Sequence, residues 1–164
     1  MNPTFHLAQI NIGRFAGPLD SPQLRDFVDN LDRINALAEQ SQGFVWRLTG
    51  EGNNATDLRP FDDDPMMAIN MSMWTDLASL GAYVYRSGHI AIMRRRREFF
   101  EVPHQAFMAL WWIPAGAIPT VAEGIARLER LRRDGPTAEA FTFRQPFPPA
   151  ARSGPVTPVL DECA

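Results

Sequence analysis

The chain has 164 residues, of which 45% are hydrophobic and 21% charged, the length and apolar content of one ordinary domain with a core of its own. A formal net charge of -3 supplies no general attraction to nucleic acid or to anionic lipid, so neither is expected as a partner. The single cysteine, Cys163, lies beside the C-terminus, which excludes an intrachain disulfide and a cysteine metal cluster.

The first residues lack a basic segment followed by a long apolar stretch, and no run of about 18 apolar residues occurs anywhere, so a cytoplasmic protein is expected. Residues 5–12 alternate, with Ala8, Ile10 and Ile12 on one side and Leu7, Gln9 and Asn11 on the other, the period of a half-buried strand. Asp20, Ser21 and Pro22 form a helix start, after which Leu24, Phe27, Val28, Leu31, Ile34, Leu37 and Ala38 fall on one stripe. Gly43 closes that helix, and Phe44, Trp46 and Leu48 alternate with Val45 and Arg47 as a second strand. Residues 51–65 carry no apolar period and read as a long connection.

A third strand is predicted over 67–73, with Met67, Ile69, Met71 and Met73 on one face and Ala68, Asn70 and Ser72 on the other. Thr75 is placed to cap a helix carrying Leu77, Leu80 and Val84, which Ser87 and Gly88 interrupt before a second segment from His89 to Phe99. The fourth strand is 106–113. Thr120 and Glu123 form a capping box for a helix with Ile125, Leu128 and Leu131 that stops at Gly135, and a short strand follows over 141–144. Prolines at 146, 148, 149, 155 and 158 exclude a regular element beyond it, so residues 1–147 are expected as one domain and 148–164 as a proline-rich tail.

The order strand, helix, strand, strand, helix, strand is that of a ferredoxin-like α+β domain (βαββαβ), here with an appended helix and short strand. The methionine-rich face is expected to meet the helices. The opposite face, with Gln9, Asn11, Val45, Arg47, Asn70 and Ser72 interrupted by Trp74 and by Trp111 or Trp112, is too aromatic to stay wet. Packing it against a second copy predicts a homodimer.

The strings LAQINIGRF, DRINALAEQSQGFVWRL, NATDLRPFDDDP, NMSMWTDLASLGAYVYRSGHIAIMRRRREFFE and LWWIPAGAIPTVAEGIARLERLRRDGPTAEAFTFRQPF resemble a bacterial family of a domain of unknown function, family 3291. That family is grouped with the dimeric α/β-barrel proteins, which include antibiotic-biosynthesis monooxygenases. The resemblance implies a pocket between sheet and helices, used in the wider group for cofactor-independent oxygenation, haem binding or degradation, and cyclisation or isomerisation. Some haem proteins of the group place a histidine on the second helix and an asparagine on the first strand. His89 and Asn11 are the nearest counterparts, although the spacing from Trp74 to His89 does not reproduce the haem-degrading pattern.

His89 opens a helical segment, where the positive end of the helix dipole keeps the ring neutral, and Ile92 and Met93 share its face. Such a ring can act as a base, ligate haem iron, or merely cap the helix break. Arg59, in the long connection, can swing over a pocket and hold a carboxylate or enolate, or pin the loop by pairing with Asp57 or Asp62. His6 and His104 read as structural, Asp62 to Asp64 as a solvated loop, and Arg94 to Arg97 as a solvated helical face with an ion pair or two. Trp46, Met71, Trp74, Met93 and Trp112 suit either a site for a flat hydrophobic ligand or core filling, with Tyr83 and Tyr85 as phenols able to orient a substrate, of which only one, with Tyr85 preferred, can easily face inward.

The expectation is a small-molecule enzyme of monooxygenase, cyclase or isomerase type, with His89 as base and Asn11, Arg59 or Tyr85 orienting the substrate. No metal site is expected, and the cofactor is none or haem. The alternatives are a haem-binding protein with His89 as axial ligand, and a dimer with a structural or regulatory role.

Overall fold

The computed structural model describes residues 4–150. The predicted alternation produces β1 (Phe5–Arg14), and the helix stripe produces α1 (Arg25–Gln40) after a short 3-10 turn over Pro22–Leu24. Then come β2 (Phe44–Arg47), β3 (Met67–Trp74), α2 (Leu77–Arg86), α3 (His89–Arg94), α4 (Arg96–Phe99), β4 (Met108–Pro114) and α5 (Val121–Asp134). The strands form one antiparallel sheet in the order β2-β3-β1-β4, so the described chain is a mixed α+β domain with a four-stranded sheet and five α-helices.

Local chemistry explains where expectation and structure part. The cap of α2 is Asp76 and not Thr75: an Asp76 carboxylate oxygen accepts the Ser79 N–H at 2.7 Å, while the Thr75 N–H is used by the carbonyl of Gly43. The helix break is real and double. Ser87 is extended, its hydroxyl bonding back to the Tyr83 carbonyl and accepting the His89 N–H at 3.1 Å, and a second interruption falls at Arg95. The expected strand over 141–144 shrinks to a single bridge between Phe141 and Leu110, because Thr142 accepts the Gln145 N–H and turns the chain away. The expected tail begins within the described residues, where 145–150 form neither helix nor strand, and continues outside them together with Cys163.

The sheet is covered on both sides. One face carries Ala8, Ile10, Ile12, Ile69, Met71, Met73 and Trp111, and packs against Leu128 and Leu131 of α5. Gly124 lets that helix approach closely, since a Cβ there would stand 2.9 Å from the Met71 methyl and 3.1 Å from Ile10 Cδ1. The other face carries Leu7, Trp74 and Leu110 and packs against Ala38 of α1, Leu77 and Leu80 of α2, and Phe141 and Phe143. Here the sequence expectation is corrected: the Gln9, Asn11, Asn70 and Ser72 side is the one that α1 and α2 cover, and the methionine-rich side takes the appended α5. The reason is topological. β1 and β2 run parallel with β3 between them, and the crossovers through α1 and through α2 close over the same side of the sheet. On the face that motivated a dimer, Trp74 is therefore covered within the chain, while Asn70 stays exposed.

Candidate functional site

Under the α1 and α2 layer, the centre of the sheet is polar. Gln9 faces Ser72 and Asn11 faces Asn70 across the β1–β3 register. The Gln9 amide NH2 donates to Asn70 Oδ1 at 2.7 Å and to Ser72 Oγ at 3.0 Å, and its oxygen accepts from Asn11 Nδ2 at 3.1 Å. Asn11 Nδ2 also reaches Asn70 Oδ1 at 3.4 Å. Buried amides are retained only when so satisfied. Gln9 and Ser72 are buried, Asn11 is half-buried and Asn70 is exposed, so this floor is sealed at one end and open at the other. At the open end the oxygen of Asn11 and the NH2 of Asn70 have no partner among the described residues, leaving one acceptor and two donors for an incoming group. Ile34 and Leu37 of α1 and Met93 of α3 are half-buried and belong to none of the apolar clusters.

The sealed end leads to the histidine. Trp74 donates from Nε1 to Ser72 Oγ at 2.9 Å, its ring stacks on Tyr83 at 5.0 Å, and the Tyr83 ring lies 4.8 Å from that of His89. Burial holds the His89 imidazolium below its ordinary range, partly opposed by the Val84 carbonyl 3.5 Å from Nδ1. Burial, not the dipole of the six-residue α3, keeps the ring neutral. The tautomer assigned on that contact carries its proton on Nδ1 and leaves Nε2 as an acceptor. Burial likewise pushes the Tyr83 phenol far up, so it stays protonated and donates to the Ile34 carbonyl at 3.4 Å.

A depressed histidine value has a stability consequence. Below the unfolded value of 6.5 the unfolded chain binds a proton that the folded ring resists, so this stabilisation is complete above pH 6.5 and is lost as pH falls towards the folded value. Melting temperatures followed from pH 7.5 down to 5 should fall more steeply for the wild type than for His89→Phe. Parallel curves would show that His89 does not titrate in this way.

The expected site residues divide among three places. Asn11, Trp74, Tyr85, His89, Met93 and Trp112 lie on the floor or in the helix layer over it. Trp74 is fully buried, the half-buried Tyr85 ring meets Phe143 edge-on at 5.4 Å, and Trp112 donates to the Phe147 carbonyl at 2.7 Å. Trp46 and Met71 belong to the opposite face under α5. Arg59 stays in the long connection, where it bonds the carbonyls of Thr56 and Leu58 and neither Asp57 nor Asp62. Asp64 is tied to Arg14 at 3.1 Å, and among the described residues no three His, Cys, Asp or Glu side chains converge on a point where a metal could sit. A separate hollow of about 420 Å³ between α1 and the long connection is lined by Leu19, Val28, Leu31, Asn54 and Thr56, without His89 or the floor amides.

Sequence reasoning assigned no chemistry to Gln9, Ser72 and Asn70, although their alternation with Ile10, Met71 and Ile69 was the available signal. It named Tyr83 beside Tyr85 only as a phenol for orienting a substrate, and it took Arg96 for one of a solvated run.

Among the described residues no helix is long and apolar enough to cross a membrane. The model of the family described as "Domain of unknown function (DUF3291)" matches residues 6–156. The chain belongs to this family. All the floor and roof residues, from Gln9 to Trp112, fall inside the stretch that the DUF3291 model matches. Among solved structures the chain is similar to the crystal structure of the NE2512 protein of unknown function from Nitrosomonas europaea, at 15% identity over 72% of this chain and 96% of that one, with a TM-score of 0.44. No curated protein matches it.

Proposed function

We propose that this DUF3291 protein is a small-molecule enzyme that holds a hydrophobic, oxygenated substrate between the amide floor and the α1–α3 layer. The observation that carries the reading is the floor itself: four hydrogen-bonded polar side chains at the centre of a sheet, under helices, with unspent donors and an acceptor at its open end. Water can satisfy these free groups in the empty protein, and a pocket uses a few such placed polar groups to orient an apolar ligand. Asn70 and Asn11 suit a substrate carbonyl or hydroxyl. His89, neutral and with Nε2 open, suits removal of a proton from an acidic carbon or phenol. The reaction class that fits is proton abstraction followed by isomerisation, cyclisation or oxygenation.

The strand order and the placement of both crossovers on one face support a ferredoxin-like domain. Pairing into a two-chain barrel finds less support, because α5 occupies the sheet face that a second sheet would meet. Haem ligation by His89 is the second reading: Nδ1 lies against the Val84 carbonyl, and Nε2 is the nitrogen that would serve as axial ligand.

The side-chain amide resonances of Gln9, Asn11 and Asn70 are direct reporters. A library of aromatic ketones and phenols should contain members that shift all three, and His89→Gln should abolish turnover of any that react while leaving those shifts in place. Hits that leave the three amides unmoved would place the pocket elsewhere. A Soret band on haem titration that His89→Gln removes would replace the enzyme reading with haem binding.

A further inference from the structure

The four consecutive arginines of residues 94–97 do not share one environment. Arg94 and Arg97 are exposed, and Arg95 is bound by Asp26 at 2.9 Å and Glu98 at 2.7 Å. Arg96 differs from all three. Its guanidinium lies 4.3 Å from the Phe107 ring centre and 5.0 Å from that of Phe100, and burial lowers its proton affinity. It has no carboxylate partner among the described residues; one NH2 makes a 3.4 Å bond to the Ile12 carbonyl, and the other donors are not used. A half-buried cation held between two rings, with no carboxylate partner and with donors left over, is a ready seat for an anion.

Its position says which anion. The Arg96 NH2 comes within 3.1 Å of where a Cβ on Gly13 would stand, and Phe100 within 2.7 Å, so the glycine makes room for both. Gly13 lies two residues beyond Asn11 on β1, on the same face of the sheet, and Ala68 and Asn70 are their partners on β3. Two residues of strand span about 7 Å. The guanidinium therefore stands beside the open end of the amide floor at roughly the length of a small organic acid. In the other direction, Met93 and His89 lie three and seven residues earlier along α3.

From this we infer that Arg96 is the anion-recognising residue of the floor pocket and that its ligand is an aromatic or alkyl carboxylate. The carboxylate would pair with the guanidinium, its apolar body would lie under Met93, and a second oxygen would meet Asn11 and Asn70. Guanidinium matches the planar carboxylate bidentately, and the flanking rings hold it in that plane. The inference rests on the floor being a ligand site, and it specifies the class of ligand.

Calorimetric titration of the full-length protein with phenylacetate and octanoate, each beside its neutral amide, tests it, with inorganic phosphate as a further probe. The acids should bind about tenfold or more tightly than the amides, and Arg96→Gln should remove that preference while Arg96→Lys keeps part of it. Asn11→Ala should weaken acids and amides alike. Circular dichroism melts of each variant establish that it is folded, and Arg96→Lys preserves the charge if Arg96→Gln does not fold. Acids that bind no better than amides, or equally well to Arg96→Gln, overturn the assignment of Arg96 without touching the pocket. Amides that also leave the floor resonances unmoved overturn the pocket. Phosphate bound more tightly than either acid overturns the carboxylate class.

Discussion

Trp74→Ala is expected to lower the stability of the fold by about 3–5 kcal/mol, the range found when a fully buried aromatic is truncated. None of the Trp74 side chain is exposed, and it is the hinge between floor and helix layer. Phe44 meets it edge-on, Tyr83 stacks on it, and its N–H holds the Ser72 hydroxyl that also accepts from Gln9. The substitution thus opens a cavity and leaves Ser72 short of a donor. It also releases Tyr83, and through Tyr83 the ring of His89. Trp74→Phe keeps most of the packing and loses the N–H bond, so its cost should be about 1–2 kcal/mol. Urea titrations followed by circular dichroism measure both, and the His89 imidazole resonances report the second effect. A Trp74→Ala protein as stable as the wild type would mean that this column is not packed as described.

Gly43→Ala is expected to cost about 2–4 kcal/mol, combining a left-handed backbone with an occupied side-chain position. Gly43 has φ of 84°, and a Cβ there would lie 2.3 Å from Ser79 Oγ, 2.5 Å from Ser79 Cβ and 2.6 Å from Thr75 Oγ1. Ser79 cannot withdraw easily because its N–H is bound by the Asp76 cap, and the Gly43 carbonyl holds the Thr75 N–H at 2.7 Å. The residue before β2 and the first turn of α2 are pressed together at this one point. Adding Ser79→Gly removes two of the three collisions, so the double variant should recover part of the loss when both are compared with Ser79→Gly alone. A melting temperature for Gly43→Ala within one degree of the wild type would show that the contact is looser than this.

The positions of the strands and helices were legible because each depends on local pattern. Ala8, Ile10 and Ile12 alternate, Leu24 to Ala38 follow the helix period, and Thr120 with Glu123 marks a helix start that the structure reproduces, the Thr120 hydroxyl accepting the Glu123 N–H at 3.1 Å. Which side of the sheet each helix would cover was not legible. Both faces carry large apolar groups, Met71 and Trp111 on one and Trp74 and Leu110 on the other, so composition alone favours neither. The residues chosen from the sequence for one pocket do not share one side of the sheet: Asn11 and Trp74 lie on the face that α1 and α2 cover, while Trp46 and Met71 have the opposite parity and end under α5.

The sequence by itself determined the element order, the helix break at Ser87 and the polar parity of Gln9, Asn11, Asn70 and Ser72, since these follow from periods of two and 3.6 and from residues that bond their own backbone. Tertiary structure alone decided that this polar strip lies beneath helices. It also decided that burial keeps His89 neutral, and that one arginine of four is drawn between Phe100 and Phe107 while Arg95, its neighbour, pairs with acids. Crossover geometry chooses the covered face, and the covered face chooses which side chains leave water; neither is written in the spacing of residues along one strand.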